Sequence, residues 1–471
     1  MLRPWDFHVQ INQTKDKAVY IQIADAIIEA IGNSKLLPGS VLPGSRYLAA
    51  HLKCNRTTVL KAFDSLISQG WLISKKRKGT FVAEQQQLMG RPKITVAQPL
   101  YPPTESLALN IIFDDGLPDS RIAPIKELAR SYRQIFNKKG RWQMMGYGSV
   151  SESFDFKNAI VKMLNFKRGM KLSMDEVFIT RGSQMAIYLS AQLLLKSGDK
   201  IIVENPGYRH AWSAFEHTGA KLLPVGVDSE GVDIEELEQI LLKYKNIKAI
   251  YVTPHHQYPT TVTMSTLRRI ALVELSNTYG FTIIEDDFDN EFHFGKSPIL
   301  PVCSSITCKN YIYIGSLSKV IAPALRIGFL ATSRKNIEKI ASLRKMIDVQ
   351  GDIIMEQAVL QLINDGEIKR HLKRATTKYK TKRDWFEMMI NKHLGKKVSF
   401  VKPAGGLAFW IVPVGPVDII EVSELLLKKG VRLLSPLKFS YRAPIKGFRL
   451  GYASLSEQEL EDGLIIMSKL L

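Results

Sequence analysis

The sequence predicts an α/β protein in two folded parts: a small N-terminal winged helix-turn-helix and a much larger domain with a mainly parallel sheet. Three observations support this. The 471 residues exceed what one ordinary hydrophobic core holds. Helical periodicity followed by two short strand-like runs fills residues 1–84, and buried strand-like runs alternate with helical stretches from about residue 107. We therefore expect a first domain over 1–84, a linker over 85–106 and a second domain over 107–471.

The first domain is predicted from its apolar spacing and its helix-breaking residues. Apolar side chains recur at helical spacing over 20–31, and the Pro and Gly residues of LLPGSVLPGS end that helix. Ser45 is a candidate N-cap for a second helix that ends at His51, and a third helix is expected over 56–69. Two short strands around the basic run KKRK, residues 75–78, predict a wing.

Basic and hydroxyl side chains mark the surface of this domain that would contact DNA. The third helix carries them near its N-terminus, as a helix that enters the major groove requires. The net charge of +20, from 65 Lys and Arg against 45 Asp and Glu, also favours a polyanionic partner. A merely solvated basic face is the alternative, and any single arginine leaves it open. The predicted DNA-contacting residues are Arg46, Arg56, Thr57, Lys61, Lys78 and Gly79.

The linker and the second domain differ sharply in composition. Residues 85–106 are polar and proline-rich, without an apolar period. Beyond them, strand-like runs separated by helical stretches indicate a mainly parallel sheet, whose ligands lie at the carboxyl ends of the strands. The runs are 177–180, 200–203, 249–253, 281–284, 311–314 and 327–331.

Three cysteines, Cys54, Cys303 and Cys308, match neither a disulfide framework nor a zinc pattern, so a reducing cytoplasm is expected. No secretory leader and no long apolar run is present, which predicts no membrane association. His255 and His256 are adjacent, and neighbouring positions rarely ligate one ion with good geometry. We therefore predict no metal site.

A serine-rich loop after the 311–314 run carries the first chemical signal. Lys319 stands between Ser316, Ser318 and the later Arg326. Pyridoxal 5'-phosphate (PLP) needs a lysine that forms an imine, with hydroxyls and a guanidinium for its phosphate. An exposed loop with an ordinary lysine is the competing interpretation of this segment alone.

Acidic residues follow the 281–284 run and add a second signal. A carboxylate such as Asp286, facing the pyridine nitrogen, would keep that nitrogen protonated. Clustered carboxylates at a strand end could instead bind Mg²⁺. The loop around Lys319 favours PLP, because a magnesium site needs no imine lysine.

Each of three further segments is weak evidence for a PLP site by itself, and together they are consistent with one. Ser183 and Gln184 open a helix, where backbone N–H groups bind phosphate. Tyr208 follows another strand and could stack on a pyridine ring. Arg449 could bind a carboxylate bidentately, and Arg209 could add a second cationic contact.

These segments together resemble a known family. LPGSRYLA, NRTTVLKAFDSLISQGWL and KKRKGTFV resemble the winged helix of GntR-type bacterial repressors. EDDFDNEF, SLSK with Arg326, and RLGYAS resemble fold-type I PLP enzymes of the aminotransferase class. The combination resembles the MocR/GabR subfamily of bacterial regulators over nearly the whole chain.

The resemblance implies a role for each candidate residue. Lys319 would be the imine lysine, Asp286 the partner of the pyridinium, Tyr208 the stacking residue and Arg449 the receptor for an effector carboxylate. It also implies a homodimer, head-to-tail and domain-swapped, in which Tyr147 of MMGYGS reaches the phosphate across the interface. The implied phosphate-binding residues of the same chain are Ser183, Gln184, Ser316, Ser318 and Arg326.

The sequence departs from the family pattern at three places. Phe288 stands where the family has a tyrosine that donates to the ring hydroxyl oxygen, and we hypothesise that Tyr258 of HHQYPTT replaces it. The segment YGSVSESFDF differs from the usual continuation after Tyr-Gly, which affects the expected interface. Thr261 stands where a glycine is common, so the turn there is expected to differ.

Three functions agree with these residues. The first is a transcriptional regulator that binds operator DNA and senses a small amino compound through Lys319-bound PLP. The second is an active aminotransferase with an accessory DNA-binding head. In the third, PLP itself is the effector.

Overall fold

The computed structural model describes residue 11 and residues 17–76, 78–84, 111–137, 146, 154–295, 299–441 and 445–471. The chain divides into two compact units, Met1–Thr104 and Glu105–Leu471. The predicted Tyr147 contact lies outside the described residues, as do Arg77 of the wing and the whole 85–106 segment. Within the described part, no helix combines the length and the apolar character needed to cross a membrane.

The N-terminal unit is a winged helix-turn-helix, as predicted. Ile23 and Ile27 of the first helix, Leu48 of the second and Val59 and Leu66 of the third are fully buried and form its core. The two strands pair antiparallel and form the wing. The elements are α1 Val19–Gly32, α2 Ser45–His51, α3 Arg56–Ser68, β1 Leu72–Lys75 and β2 Gly79–Val82.

The structure corrects the predicted N-cap of α2. Gly44 occupies the cap position and Ser45 is the first helical residue, without a side-chain capping bond. The Ser45 hydroxyl instead accepts a hydrogen bond from Arg56 Nε at 3.4 Å, which joins α2 to the start of α3. The side-chain cap in this unit belongs to α3, where Asn55 Oδ1 accepts from the backbone N–H of Thr57 at 3.0 Å.

An eight-stranded sheet organises the C-terminal unit. All six predicted runs overlap its strands, and the central pairs β5–β8, β8–β9 and β9–β10 are parallel. The exceptions are β11, which is antiparallel to both of its neighbours, and the short β7 at one edge. In spatial order the strands are β4 Val177–Thr180, β11 Gly328–Ala331, β10 Tyr311–Ser316, β9 Thr282–Asp287, β8 Ile247–Val252, β5 Lys200–Asn205, β6 Lys221–Asp228 and β7 Gly231–Val232.

The strand β6 was not predicted, and its composition explains why. It contains Pro224 and Gly226, which are depleted in strands and obscure the pattern. Its place between β5 and the two-residue β7, close to the sheet edge, tolerates the missing N–H of proline.

Helices surround this sheet, and two small sheets complete the unit. The small sheets are β12 Val398–Phe400, β13 Ala408–Pro413 and β15 Phe448–Gly451, antiparallel, and β3 Ile111–Ile112 with β14 Val431–Arg432, parallel. The helices are α4 Ile125–Asn137, α5 Phe154–Arg168, α6 Ser183–Leu194, α7 Arg209–Glu216, α8 Ile234–Lys243, α9 Thr266–Tyr279, α10 Arg334–Lys345, α11 Ile353–Asn364, α12 Glu367–His393, α13 Ile419–Lys428 and α14 Glu457–Ser468.

Candidate functional site

A pocket of about 440 Å³ lies at the carboxyl ends of the parallel strands. Five predicted site residues converge there from different strand ends, as the position of ligands in open α/β sheets requires. They are Ser183, Tyr208, Tyr258, Asp286 and Lys319, and the other lining residues are Asp115, Tyr251, Thr253 and Phe288.

Asp286 forms the floor of this pocket and is only 3% exposed. One carboxylate oxygen, Oδ2, accepts a hydrogen bond from the Tyr251 hydroxyl at 2.7 Å. The other, Oδ1, is buried and has no hydrogen-bond partner within the described part of the chain. Burial raises the pKa of Asp286 to about 7, the Tyr251 hydrogen bond opposes that rise, and the nearby charge of Asp287 adds to it. This carboxylate lacks a donor, which a protonated ring nitrogen would supply.

Tyr251 was not among the predicted site residues. It lies within β8, beside the strand that carries Asp286, and its ring is 1% exposed. The hydrogen bond depends on the register of β8 against β9, which pairs Tyr251 with Ile284. A strand tyrosine is ordinarily a packing residue, so the sequence contained no signal that would have separated it from the core.

A phosphate cradle, defined here as Gly182, Ser183, Ser316, Ser318 and Arg326, lies at the N-terminus of α6. Gly182 is the N-cap with φ 79°, and a Cβ atom there would lie 2.5 Å from a terminal nitrogen of Arg326. The Ser316 and Ser318 hydroxyls donate to the Ile327 carbonyl at 3.2 and 3.5 Å. The unpaired N–H groups of a helix start, hydroxyls and a guanidinium form a suitable receptor for a phosphate dianion.

Gln184 differs from the other predicted phosphate ligands. Its side-chain nitrogen donates to the His210 carbonyl at 3.1 Å and so links α6 to the start of α7. The backbone N–H of Gln184, in the first turn of α6, is also suited to a phosphate.

Aromatic rings enclose the side of the pocket. The Tyr208 and Tyr258 rings meet edge to face with centroids 5.1 Å apart, and the Phe288 centroid lies 6.2 Å from that of Tyr258. Lys319 Nζ lies 4.7 Å from the centroid of the Phe288 ring. The lysine therefore ends beside the aromatic residue that replaces the usual tyrosine.

Arg449 is 2% exposed and is held from two directions. Its Nε donates to the Asp115 carbonyl at 2.9 Å and one terminal nitrogen donates to the Pro259 carbonyl at 2.8 Å. The guanidinium carbon lies 4.9 Å from the centre of the Tyr258 ring. The orientation of the arginine is thus fixed while its other terminal nitrogen makes no hydrogen bond to a described residue.

Arg209, the second predicted effector contact, is located elsewhere. It is exposed at the start of α7, with its guanidinium carbon 5.8 Å from the centre of the Trp212 ring, and it is not among the residues that line the pocket.

Two histidines behind the pocket have buried acidic neighbours. His256 Nδ1 lies 2.7 Å from Asp289 Oδ1. Burial would raise the pKa of Asp289, but the charge and hydrogen bond of His256, together with the charges of Lys319 and Arg449, lower it to about 2. Burial lowers the pKa of His255 to about 3, so this ring is neutral. Arg168 forms a buried ion pair with Asp287. Among the described residues, no three acidic, histidine or cysteine side chains are grouped as metal ligands.

The candidate nucleic-acid interface of the N-terminal unit is a set of exposed basic residues. Arg46 of α2 and Arg56 and Lys61 of α3 are all exposed, and so is Lys78 at the wing. The Thr57 hydroxyl donates to Asn55 Oδ1 at 3.0 Å and is therefore shared with the helix cap. Gly79 has φ 112°, which a side chain would strain.

We expect Arg56→Ala to weaken operator binding by about tenfold and to reduce the slope of log K against log salt by about 1. The reason is the loss of one phosphate or base contact and its released counterion. Lys35→Ala removes an exposed charge just after α1 and is the matched control. Equal salt slopes for the two variants, measured by fluorescence anisotropy, would contradict the assigned interface.

Comparison with known proteins agrees with both units. Residues 19–82 match the gntR family of bacterial regulatory proteins, and residues 119–465 match class I and II aminotransferases. The uncharacterized HTH-type transcriptional regulator YdcR of Escherichia coli is 30% identical over 89% of this chain and 92% of its own. The probable rhizopine catabolism regulatory protein MocR of Rhizobium meliloti is 24% identical over 96% and 94%. The kynurenine aminotransferase of Pyrococcus horikoshii, solved in complex with PMP, is 26% identical with TM-score 0.72, covering 76% of this chain and 90% of that one.

The fold and the site define a regulator with a DNA-binding GntR domain and a PLP-dependent aminotransferase-like domain. The chain belongs to the MocR/GabR subfamily of GntR-type transcriptional regulators. Pyridoxal phosphate is its cofactor. The unpartnered Asp286 oxygen and the phosphate cradle both fit that group.

The raised pKa of Asp286 predicts a pH dependence of the apoprotein. A carboxyl whose pKa is about 7 when folded, against 3.8 unfolded, stabilises the fold fully below about pH 4, and this contribution is lost as the pH rises through 7. Asp286→Asn should therefore stabilise the apoprotein at pH 8 by at most about 4 kcal/mol, since one pKa unit is worth about 1.4 kcal/mol. Urea unfolding at pH 5 and pH 8 measures this.

The exposed Asp175→Asn is the control for the loss of one negative charge. Burial also raises the pKa of Glu204 to about 7, so part of the slope persists in either variant. An unchanged pH slope in Asp286→Asn would show that this carboxyl titrates normally.

Tyr258→Phe tests whether the Tyr258 hydroxyl replaces the one that Phe288 lacks. We expect the absorbance of bound PLP and its pH dependence to change, because a hydrogen-bond donor to the ring oxygen is removed. Tyr279→Phe, on the exposed end of α9, should leave both unchanged. Identical titrations for Tyr258→Phe and the unmodified protein would reject the replacement.

Proposed function

We propose that this regulator senses a small primary amine through PLP attached to Lys319 and changes its binding to operator DNA accordingly. One observation carries the proposal. The pocket brings together Lys319, the Asp286 carboxylate with its unpartnered Oδ1, and the aromatic rings of Tyr208 and Tyr258, in a chain that also has a DNA-binding domain. When bound, PLP supplies an aldehyde carbon that can exchange its link to the lysine for a link to an incoming amine.

Each group of the pocket has a separate task in this proposal. Asp286 stabilises positive charge on the ring nitrogen, and the phosphate cradle fixes the cofactor by its phosphate. Arg449, held by the carbonyls of Asp115 and Pro259, orients the effector through a carboxylate. Lys319 would be displaced from the cofactor, and its Nζ would take up the proton that the incoming amine loses.

The active assembly is proposed to be a head-to-tail, domain-swapped homodimer in which Tyr147 contacts the phosphate of the partner's site. The support is the family resemblance together with α5, which leaves Phe154 69% and Phe166 91% exposed. Aromatic residues so exposed on one helix are typical of interfaces.

The test follows cofactor absorbance and operator binding of the holoprotein in parallel while amino compounds are added. An effector should alter the visible absorbance and the operator affinity over the same concentration range, because coupling requires different affinities for two states. The proposal fails if amine-bound and amine-free protein bind operator with identical affinity and bend it identically. Operator binding that depends on PLP without any amine would identify PLP itself as the effector.

Slow transamination is the second candidate, and the intact set of Lys319, Asp286 and Arg326 favours it. Lys319 Nζ would then also have to move a proton between the substrate carbon and the cofactor. Sustained keto-acid formation with an added acceptor keto acid would establish this activity, and a single stoichiometric conversion would not.

A further inference from the structure

Asp115 places a negative charge in the effector pocket that nothing described above requires. Its half-buried side chain lines the pocket with Lys319 and Tyr258. Its neighbour Asp114 is different, because the Asp114 carboxylate accepts hydrogen bonds from the backbone of Gly116 and Leu117, both at 2.8 Å. Asp114 is thus structural, whereas no described residue donates a hydrogen bond or an ion pair to the Asp115 carboxylate.

The backbone of Asp115 contacts Arg449, but the Asp115 carboxylate does not pair with it. Arg449 donates to the backbone carbonyl of Asp115 at 2.9 Å, and no ion pair joins the two side chains. The negative charge of Asp115 nevertheless acts across the pocket, since it adds to the burial that raises the pKa of both Tyr208 and Tyr258. The pocket wall therefore carries the Asp115 anion, and the Arg449 cation lies 4.9 Å from the Tyr258 ring that lines the same pocket. Each of the two groups has unused hydrogen-bonding capacity.

An unpaired carboxylate among aromatic rings selects strongly between ligands. A ligand with a single amine and a carboxylate would use its amine at Lys319 and its carboxylate at Arg449, and would bring only apolar atoms to Asp115. That leaves the aspartate desolvated and unpartnered, which is costly. A ligand with a second cation would instead form a charge-assisted hydrogen bond there.

We propose that the effector is a diamino acid: one amine reacts at Lys319, the carboxylate binds Arg449, and a second, positively charged amine pairs with Asp115. This rests on the proposed sensing function and adds the chemical class of the effector.

The test compares matched ligand pairs on the full-length holoprotein. 2,3-Diaminopropionate, 2,4-diaminobutyrate, ornithine and lysine are each titrated against the monoamino acid of the same chain length: alanine, 2-aminobutyrate, norvaline or norleucine. We expect at least one diamino acid to alter the cofactor absorbance at a concentration about 10- to 100-fold lower than the matched monoamino acid requires. This ratio is the range for one hydrogen bond to a charged group. For that chain length, the diamine that lacks the carboxylate should be weaker than the diamino acid.

Asp115→Asn keeps the size of the side chain and the carbonyl that Arg449 uses, but removes the charge. In this variant we expect the diamino acid and its matched monoamino acid to act at about equal concentrations. Asp175→Asn, which removes a charge from an exposed position of the same unit, should retain it. The ligand comparison in the unmodified protein decides the matter even if Asp115→Asn does not bind cofactor.

The outcomes separate this inference from the function on which it rests. If monoamino acids act as strongly as every diamino partner, the effector class is wrong while amine sensing stands. A preference that survives in Asp115→Asn would likewise overturn the role of Asp115. If no amine alters the absorbance of a protein that binds PLP, the sensing function fails, and the effector class fails with it.

Discussion

Lys319→Ala should abolish the imine absorbance that the holoprotein shows before any amine is added. Lys319 is the lysine that lines the pocket, and its Nζ lies 4.7 Å from the Phe288 ring beside Asp286. Without it, PLP has no amine to react with in the pocket and is held only by its phosphate and ring contacts. Absorbance spectra and an anisotropy titration with operator DNA, both with and without amine, measure the effect.

Basal operator binding should survive in this variant, because the side chains predicted to contact DNA belong to the other compact unit. Lys335→Ala, on the exposed surface of α10, provides the control and should retain the full absorbance and response. A Lys319→Ala protein that keeps the imine absorbance without added amine would show that the cofactor is attached at another site.

Gly182→Ala should lower PLP affinity by about 100-fold through a single added methyl group. That methyl would lie 2.5 Å from Arg326, so the guanidinium would have to leave the phosphate cradle and its charge-assisted bonds to phosphate would be lost, at about 1.5–3 kcal/mol each. Arg326→Gln should produce a loss of the same order by a direct route. Equilibrium dialysis of the apoproteins against PLP measures both.

Gly198→Ala is the matched control for Gly182→Ala. Gly198 also has a positive φ, 87°, but a Cβ atom there meets no atom within 4 Å. It therefore carries the backbone strain of the substitution without the contact with Arg326. If both glycine variants bind PLP equally well, Arg326 is not part of the cradle.

The sequence predicted the parts of this molecule that depend on local patterns. The winged helix-turn-helix follows from apolar spacing and helix-breaking residues, and the six predicted runs overlap strands of the main sheet. The approach of Asp286 to Lys319 was also predictable, since both follow strands whose carboxyl ends lie on one edge of a sheet. β9 and β10 are indeed adjacent and parallel.

Features that depend on register or on contacts between distant segments were not predictable. Tyr251 reaches Asp286 only because of the alignment of β8 with β9, and Asp115 enters the pocket through the loop after β3. Pro224 hid the strand β6, and Gly44 rather than Ser45 caps α2. For Tyr251 and Asp115 the deciding partner lies outside the local sequence window.

The antiparallel strand β11 has a consequence for how the chain is made. It lies between β4 and β10, so Thr180 pairs with Gly328, far downstream. During synthesis the N-terminal unit, whose core consists of residues close in sequence, can fold as soon as it leaves the ribosome. The phosphate cradle can form only later, after Arg326 has been synthesised. Every newly made copy therefore passes through a stage in which the DNA-binding domain can be folded before the cofactor site is assembled, and a chain truncated within the second unit would remain at that stage.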